Sequence, residues 1–169
     1  TSMVYAVGTS HVDNPALAEW AGEFLSLPMD AEAMARTGVD AYCRVGADET
    51  TCESRGVSIY LDVMLKALER LVSAGEYSQE GIEGAQKTYR SGMTTRQAQT
   101  DLEYDRQFRQ AMFGPTHPYG RVTTLDDYNK ISRDDLNAFR KKHYVASNAT
   151  LFIAGDFDPA KAEKMVRSV

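Results

Sequence analysis

Phe113-Gly-Pro-Thr-His-Pro-Tyr-Gly120, Ser132-Arg-Asp-Asp-Leu136, His143-Tyr-Val145 and Asn148-Ala-Thr-Leu-Phe-Ile-Ala-Gly-Asp-Phe-Asp-Pro159 follow one another along one stretch of the chain. Within it the run Thr150 to Ala154 is short, apolar and β-branched or aromatic. Asn148 bounds it on one side and Gly155-Asp156 on the other, so the run reads as a buried strand. A helix leads in: Ser132 with Asp135 three residues later makes a capping box, and Leu136, Phe139 and Tyr144 mark its inner face. Another helix leads out. Asp158 stands before Pro159, and proline is tolerated at a first helical position because the N–H it lacks would have no partner there.

Upstream, the apolar periodicity sets further elements. Asn14 caps a helix with Pro15 at its first position, and Leu17, Trp20, Ala21, Phe24 and Leu25 recur at three- and four-residue spacing. Asp30 starts a short helix through Ala35, stopped by Gly38. From Leu61, the positions Met64, Leu65, Leu68, Leu71 and Val72 keep helical period until Gly75. Ser78 opens a long polar helical region, Gln79 to about Met112, with a break expected near Gly92-Met93-Thr94. Its apolar content is thin (Ile82, Ala85, Tyr89, Leu102, Phe108, Met112), as in a pair of surface helices lying across a sheet.

Residues 41–45 and 50–54 read as a hairpin with Ala47-Asp48 at a two-residue turn, which sets Cys43 opposite Cys52. Facing residues have Cβ atoms about 4.5–5.5 Å apart, somewhat wider than a disulfide wants, so a bridge needs local adjustment. Two readings stand: a Cys43–Cys52 bridge, which would argue for a periplasmic or secreted setting, and two buried thiols. Two cysteines are too few for a disulfide scaffold or a zinc ribbon.

With 169 residues and 43% hydrophobic content the chain has the means to bury one ordinary core, so one domain over 1–169 is expected. No apolar run reaches bilayer-spanning length, and Thr1 to Gly8 lacks the charged start and apolar region of a signal peptide. A net charge of −5, with Lys and Arg scattered among acids, sets nucleic acid aside. Strands and helices with an antiparallel hairpin, rather than strict strand–helix alternation, give an α+β class: an antiparallel or mixed sheet with helices packed on one face.

The ordered set His117-Pro-Tyr-Gly120, the Ser132 helix, His143-Tyr-Val145, Ser147-Asn-Ala-Thr150 and Ile153-Ala-Gly-Asp-Phe-Asp-Pro159 resembles the pitrilysin and insulinase family of zinc peptidases, which includes the mitochondrial processing peptidases. The resemblance makes Val4 to Val7, ended by Gly8, a strand of the sheet. It implies an inverted zinc motif, His-x-x-Glu-His, on the first long helix and a third ligand, a glutamate, from a later one. Laid on that pattern, the motif positions fall on Glu19, Trp20, Ala21, Gly22 and Glu23, and the third ligand falls within a few residues of Arg90. Glutamate replaces both histidines and glycine replaces the catalytic glutamate.

Carboxylates alone favour hard, weakly held ions, Arg90 opposes a metal, and Gly22 has no side chain to act as a base. No cofactor and no catalytic residue is therefore expected, although zinc is the family's metal. His11, His117 and His143 stand at no metal-ligand spacing and read as turn or cap histidines; His143 sits at a helix end, where a cation is favoured. Tyr119 and Tyr144 match aromatics common in the family and are candidates for touching a peptide, but Tyr144, at a helix end before a strand, reads as core.

In the family two such domains face each other like the halves of a clam shell around a peptide chamber, and commonly one bears zinc. The family's domain also begins with an additional strand and continues with further sheet, so the resemblance implies a trimmed domain or a piece of a larger protein. The expected function is a non-catalytic half that supplies chamber wall, peptide-binding edge strand and partner surface to a catalytic half or homologous subunit, with unfolded peptide as ligand. Two alternatives remain: an assembly module like the respiratory-complex core subunits, and an active zinc peptidase with altered ligands.

Overall fold

A computed structural model describes residues 1–25, 31–73, 75–97 and 100–168. The elements run β1 (Ser2–Tyr5), α1 (Pro15–Leu25), α2 (Ala31–Thr37), β2 (Asp40–Val45), β3 (Thr50–Arg55), α3 (Leu61–Ser73), α4 (Gln79–Gln97), α5 (Thr100–Phe113), α6 (Leu125–Asn129), α7 (Arg133–His143), β4 (Ala149–Phe152) and α8 (Pro159–Ser168). The class is α+β as expected. The four strands are ordered β2-β3-β1-β4, and all their pairings are antiparallel.

Helices cover one face of this sheet. On β2 and β3 the residues turned toward α1 and α3 are buried, among them Ala41, Thr50, Cys52 and Ser54, while Asp40, Arg44 and Arg55 are exposed. Period-two side-chain direction produces this alternation, because successive Cβ atoms leave opposite sides of the pleat. The hairpin has the expected register: Val45 pairs with Thr50, and Gly46 N donates to Glu49 O at 2.8 Å around Ala47-Asp48. Cys43 therefore faces Cys52, with Cα atoms 4.0 Å apart and the two sulfurs joined.

Two strands depart from the reading of the sequence. Thr150 to Ala154 was expected to be a buried strand; β4 is Ala149–Phe152, it lies at the sheet edge, and only Ala149 and Leu151 are part-buried while Thr150 and Phe152 are exposed. A continuous apolar run does not distinguish a strand covered on both faces from an edge strand covered on one. The first strand is Ser2–Tyr5 rather than Val4 to Val7, because the chain turns after Tyr5: Val7 N donates to Tyr5 O (2.8 Å) and Val7 O accepts from Thr50 Oγ1 (2.8 Å). Val7 remains fully buried, which is why its apolar character misled.

The helices follow their caps and stripes. Asn14 Oδ1 accepts from Ala16 N at 3.1 Å to start α1, and Trp20, Ala21, Phe24 and Leu25 are buried beneath it. On α3, Leu61, Met64, Leu65, Leu68 and Leu71 are all buried, each contributing on the order of 1.5–3 kcal/mol of transfer free energy. Ser132 and Asp135 form the capping box of α7, and Asp158 Oδ1 accepts from Ala160 N at 2.9 Å to start α8. Gly38, at φ +66°, ends α2.

Asp30, the expected start of α2, and the side chains of Val72 and Leu102 lie outside the described residues. The expected break at Gly92-Met93-Thr94 does not occur there: α4 runs through those residues to Gln97, and α5 begins at Thr100. Glycine costs a helix only about 1 kcal/mol relative to alanine, too little to end one by itself. Nor do α4 and α5 lie across the sheet; their main contacts are with each other, α6 and the turn at Pro118–Gly120.

Candidate functional site

The site is built on α1, whose inner side is fixed against the sheet and α7. Gly22 is buried, and a Cβ added there would overlap Cγ2 of Val45 on β2, so the helix lies on the sheet at the distance only glycine permits. That contact points position 22 into the core. Trp20 is also buried, with its ring 5.0 Å from Tyr128 on α6 and 5.9 Å from both Phe24 and Tyr89. Alternate turns of α1 leave Glu19 half-buried and Glu23 exposed on the side toward α4.

The Glu19 carboxylate is held by hydroxyl groups. Thr123 Oγ1 donates to Oε1 at 2.9 Å, Tyr128 OH donates to Oε2, and Tyr89 OH lies 2.6 Å from Tyr128 OH. Burial, then the Glu19 charge, push the Tyr128 hydroxyl far above the ordinary phenol range, so it stays a donor. The rings of Tyr89 and Tyr128 are 4.3 Å apart. This chain of oxygens ties α1, α4 and α6 together at one point. Beside it a cavity of about 270 Å³ is lined by Glu19, Glu23, Tyr89, Cys43 and Arg44 among others.

The structure thus brings residues 19–23 next to the segment around 90, as a metal site of the implied type requires. The side chain that α4 delivers there is Tyr89. Arg90 is exposed and turned toward α6, with Nε donating to Asn129 Oδ1 at 3.0 Å. Zinc does not fit these residues. Both oxygens of Glu19 already accept from hydroxyls, the neighbouring donors are phenols, and imidazole is absent from the cluster. Among the described residues no three His, Cys, Asp or Glu side chains come together in a way that could hold a metal ion. Gly22, at the position the resemblance gives to the motif's glutamate, has no side chain to act as a base.

The histidines lie elsewhere. His11 Nδ1 accepts from Gly8 N at 3.2 Å, and His117 Nδ1 accepts from Tyr119 N at 3.1 Å as a cap. His143 ends α7 but is not favoured as a cation: its ring is 4.6 Å from Phe139, and burial, then Lys142 and His11, lower its pKa. Desolvation outweighs the helix carbonyls here. Tyr119 OH donates to Asp48 at the hairpin tip, and Tyr144 is buried against Tyr5 and Phe139. Tyr89 was legible only as an apolar position, and Thr123 and Tyr128 carried no signal, since they meet Glu19 across 104 and 109 residues of chain.

An α+β domain in which the Glu19 carboxylate of the first long helix is clamped by hydroxyls is what this geometry defines. Residues 130–169, from the end of α6 through α7, β4 and α8, match the family model described as Peptidase M16 inactive domain. Over 99% of the chain the structure superposes on a peptidase M16 inactive domain from Pseudomonas fluorescens (TM-score 0.82, 19% identity, 43% of that chain). It likewise superposes on pitrilysin (TM-score 0.78, 14% identity, 19% of that chain). A third match is a mutant of the ferredoxin protease FusC in complex with Arabidopsis ferredoxin (TM-score 0.81, 18% identity, 20% of that chain). No curated protein sequence matches.

The fold is therefore that of the M16, or pitrilysin-type, peptidases, and the resemblance read from the sequence holds as fold along nearly the whole chain and as sequence over 130–169. The chain spans less than half the length of each of these three proteins. No helix among the described residues is long and apolar enough to cross a membrane.

Proposed function

We propose that this chain is a non-catalytic peptidase half that forms one wall of a peptide chamber and pairs with a zinc-bearing catalytic half, in the same polypeptide or on another chain. Residues 1–169 are one peptidase-like domain in this reading, and its share of 43% of an M16 inactive-domain relative supports a larger two-domain unit. The observation that supports the reading is the Glu19–Tyr128–Tyr89 chain of hydrogen bonds, built on the helix that the sequence resemblance assigns to the metal motif. Removal of the metal grip with retention of the fold leaves binding and pairing as the activities of the scaffold. FusC, of the same fold, is seen with a whole protein bound, which supports a polypeptide ligand.

A second reading, an assembly module without peptide binding, is favoured by one feature. On α5, Tyr104, Phe108 and Met112 are 70%, 51% and 62% exposed along one helix face, an apolar surface of the kind that marks protein contacts. The two readings separate on a labelled unfolded polypeptide, such as reduced and carboxymethylated α-lactalbumin, titrated into the 169-residue chain. Saturable binding without cleavage is the expected result. No binding would favour the assembly module, and zinc-dependent cleavage would contradict both readings.

A further inference from the structure

A groove of about 660 Å³ runs between α1 and α4, with Trp20 and Phe24 on one wall and Gly81, Gly84 and Ala85 on the other. It adjoins the cavity beside Glu19, and Trp20, Glu23 and Tyr89 line both parts of this trough. The small residues keep it open: a Cβ added at Gly84 meets nothing within 4 Å. Its charges are of one sign over most of its length. Glu19 and Glu23 stand at one end and Glu80 at the other, and Arg44 is the one cation among the described lining residues. The hydrogen bonds to Glu19 come from the neutral hydroxyls of Thr123 and Tyr128, which bring no opposite charge to the carboxylate.

We infer that this trough takes a peptide segment carrying a basic residue next to an apolar one. The basic side chain sits against Glu19 and Glu23, where two carboxylates favour a cation. The apolar side chain enters between Phe24 and Ala85 and is removed from water there. Charge complementarity selects this occupant: an acidic segment would meet the three carboxylates of Glu19, Glu23 and Glu80 against the one arginine, Arg44. The inference rests on the peptide-chamber reading and specifies which peptides the chamber wall prefers.

The test uses the whole 169-residue chain and two labelled synthetic peptides of equal length without tryptophan, one alternating Leu with Arg and one alternating Leu with Glu. Trp20 is the sole tryptophan, so its emission reports occupation of the trough, while anisotropy of the label reports binding anywhere. The basic peptide is expected to bind at least about tenfold more tightly and to change Trp20 emission, with the advantage shrinking as salt rises. Glu23→Lys and Gly84→Leu, both at exposed helix positions, are each expected to weaken it about tenfold while the circular dichroism spectrum holds and the thermal midpoint does not fall. Equal binding of the two peptides, or binding by anisotropy that neither variant weakens, would overturn the trough and leave the chamber reading intact. Binding of neither peptide nor of unfolded α-lactalbumin would overturn both.

Discussion

At Gly22 an added methyl group would overlap Val45 on the neighbouring strand, whereas at Gly84 it would project into open space on an exposed helix face. The same substitution therefore has opposite signs. Gly22→Ala is expected to destabilise the fold by about 1–3 kcal/mol, since overpacking pushes α1 off the sheet. Gly84→Ala is expected to stabilise it by about 0.5–1 kcal/mol through helix propensity. Urea unfolding midpoints of the two variants check both. Tyr128 makes a further demand. Its hydroxyl serves Glu19 and meets Tyr89, so Tyr128→Phe leaves a half-buried carboxylate oxygen without its donor and is expected to cost about 1–3 kcal/mol in the same assay. An unchanged midpoint would mean that the hydroxyl chain contributes nothing to holding α1, α4 and α6 together.

Among the elements, those with a cap and a stripe were legible and those without were not. Asn14-Pro15, Ser132 with Asp135 and Asp158-Pro159 each placed a helix start, because a side-chain oxygen or a missing N–H answers a local need that the sequence displays directly. The end of β1 at Tyr5, the edge position of β4 and the course of α4 through Gly92 depend on partners far along the chain, which local pattern does not contain. The hairpin falls between these cases: its symmetry about Ala47-Asp48 set the register, and the register set Cys43 against Cys52. A cross-link with a sequence separation of 9 removes about 2–3 kcal/mol worth of disorder from the unfolded hairpin in the chain-entropy picture. Reduction with dithiothreitol is expected to lower unfolding stability by that order, and intact mass under non-reducing conditions to reveal no free thiol. Two titratable thiols would contradict the bridge.

For the molecule as a whole, the sequence indicated which helix to watch and which residue types it lacks, but not what replaces them. The resemblance set Glu19, Gly22 and Glu23 at the positions of a metal motif, while the partners that give Glu19 its setting, Thr123 and Tyr128, come from the far side of α5. Only the folded chain brings them to α1, with Tyr89 between, and it turns Arg90 outward. The consequence is an M16-type fold in which Glu19 is clamped by hydroxyls beside an acidic, apolar-walled trough, and in the proposed reading this clamp takes the place of the metal grip. Zinc stoichiometry tests that claim most directly. After purification in zinc-supplemented buffer and exhaustive desalting, elemental analysis is expected to find well under about 0.1 zinc per chain, since among the described residues no three His, Cys, Asp or Glu side chains come together to hold a metal ion. One tightly held zinc per chain, lost on Glu19→Gln, would contradict the account.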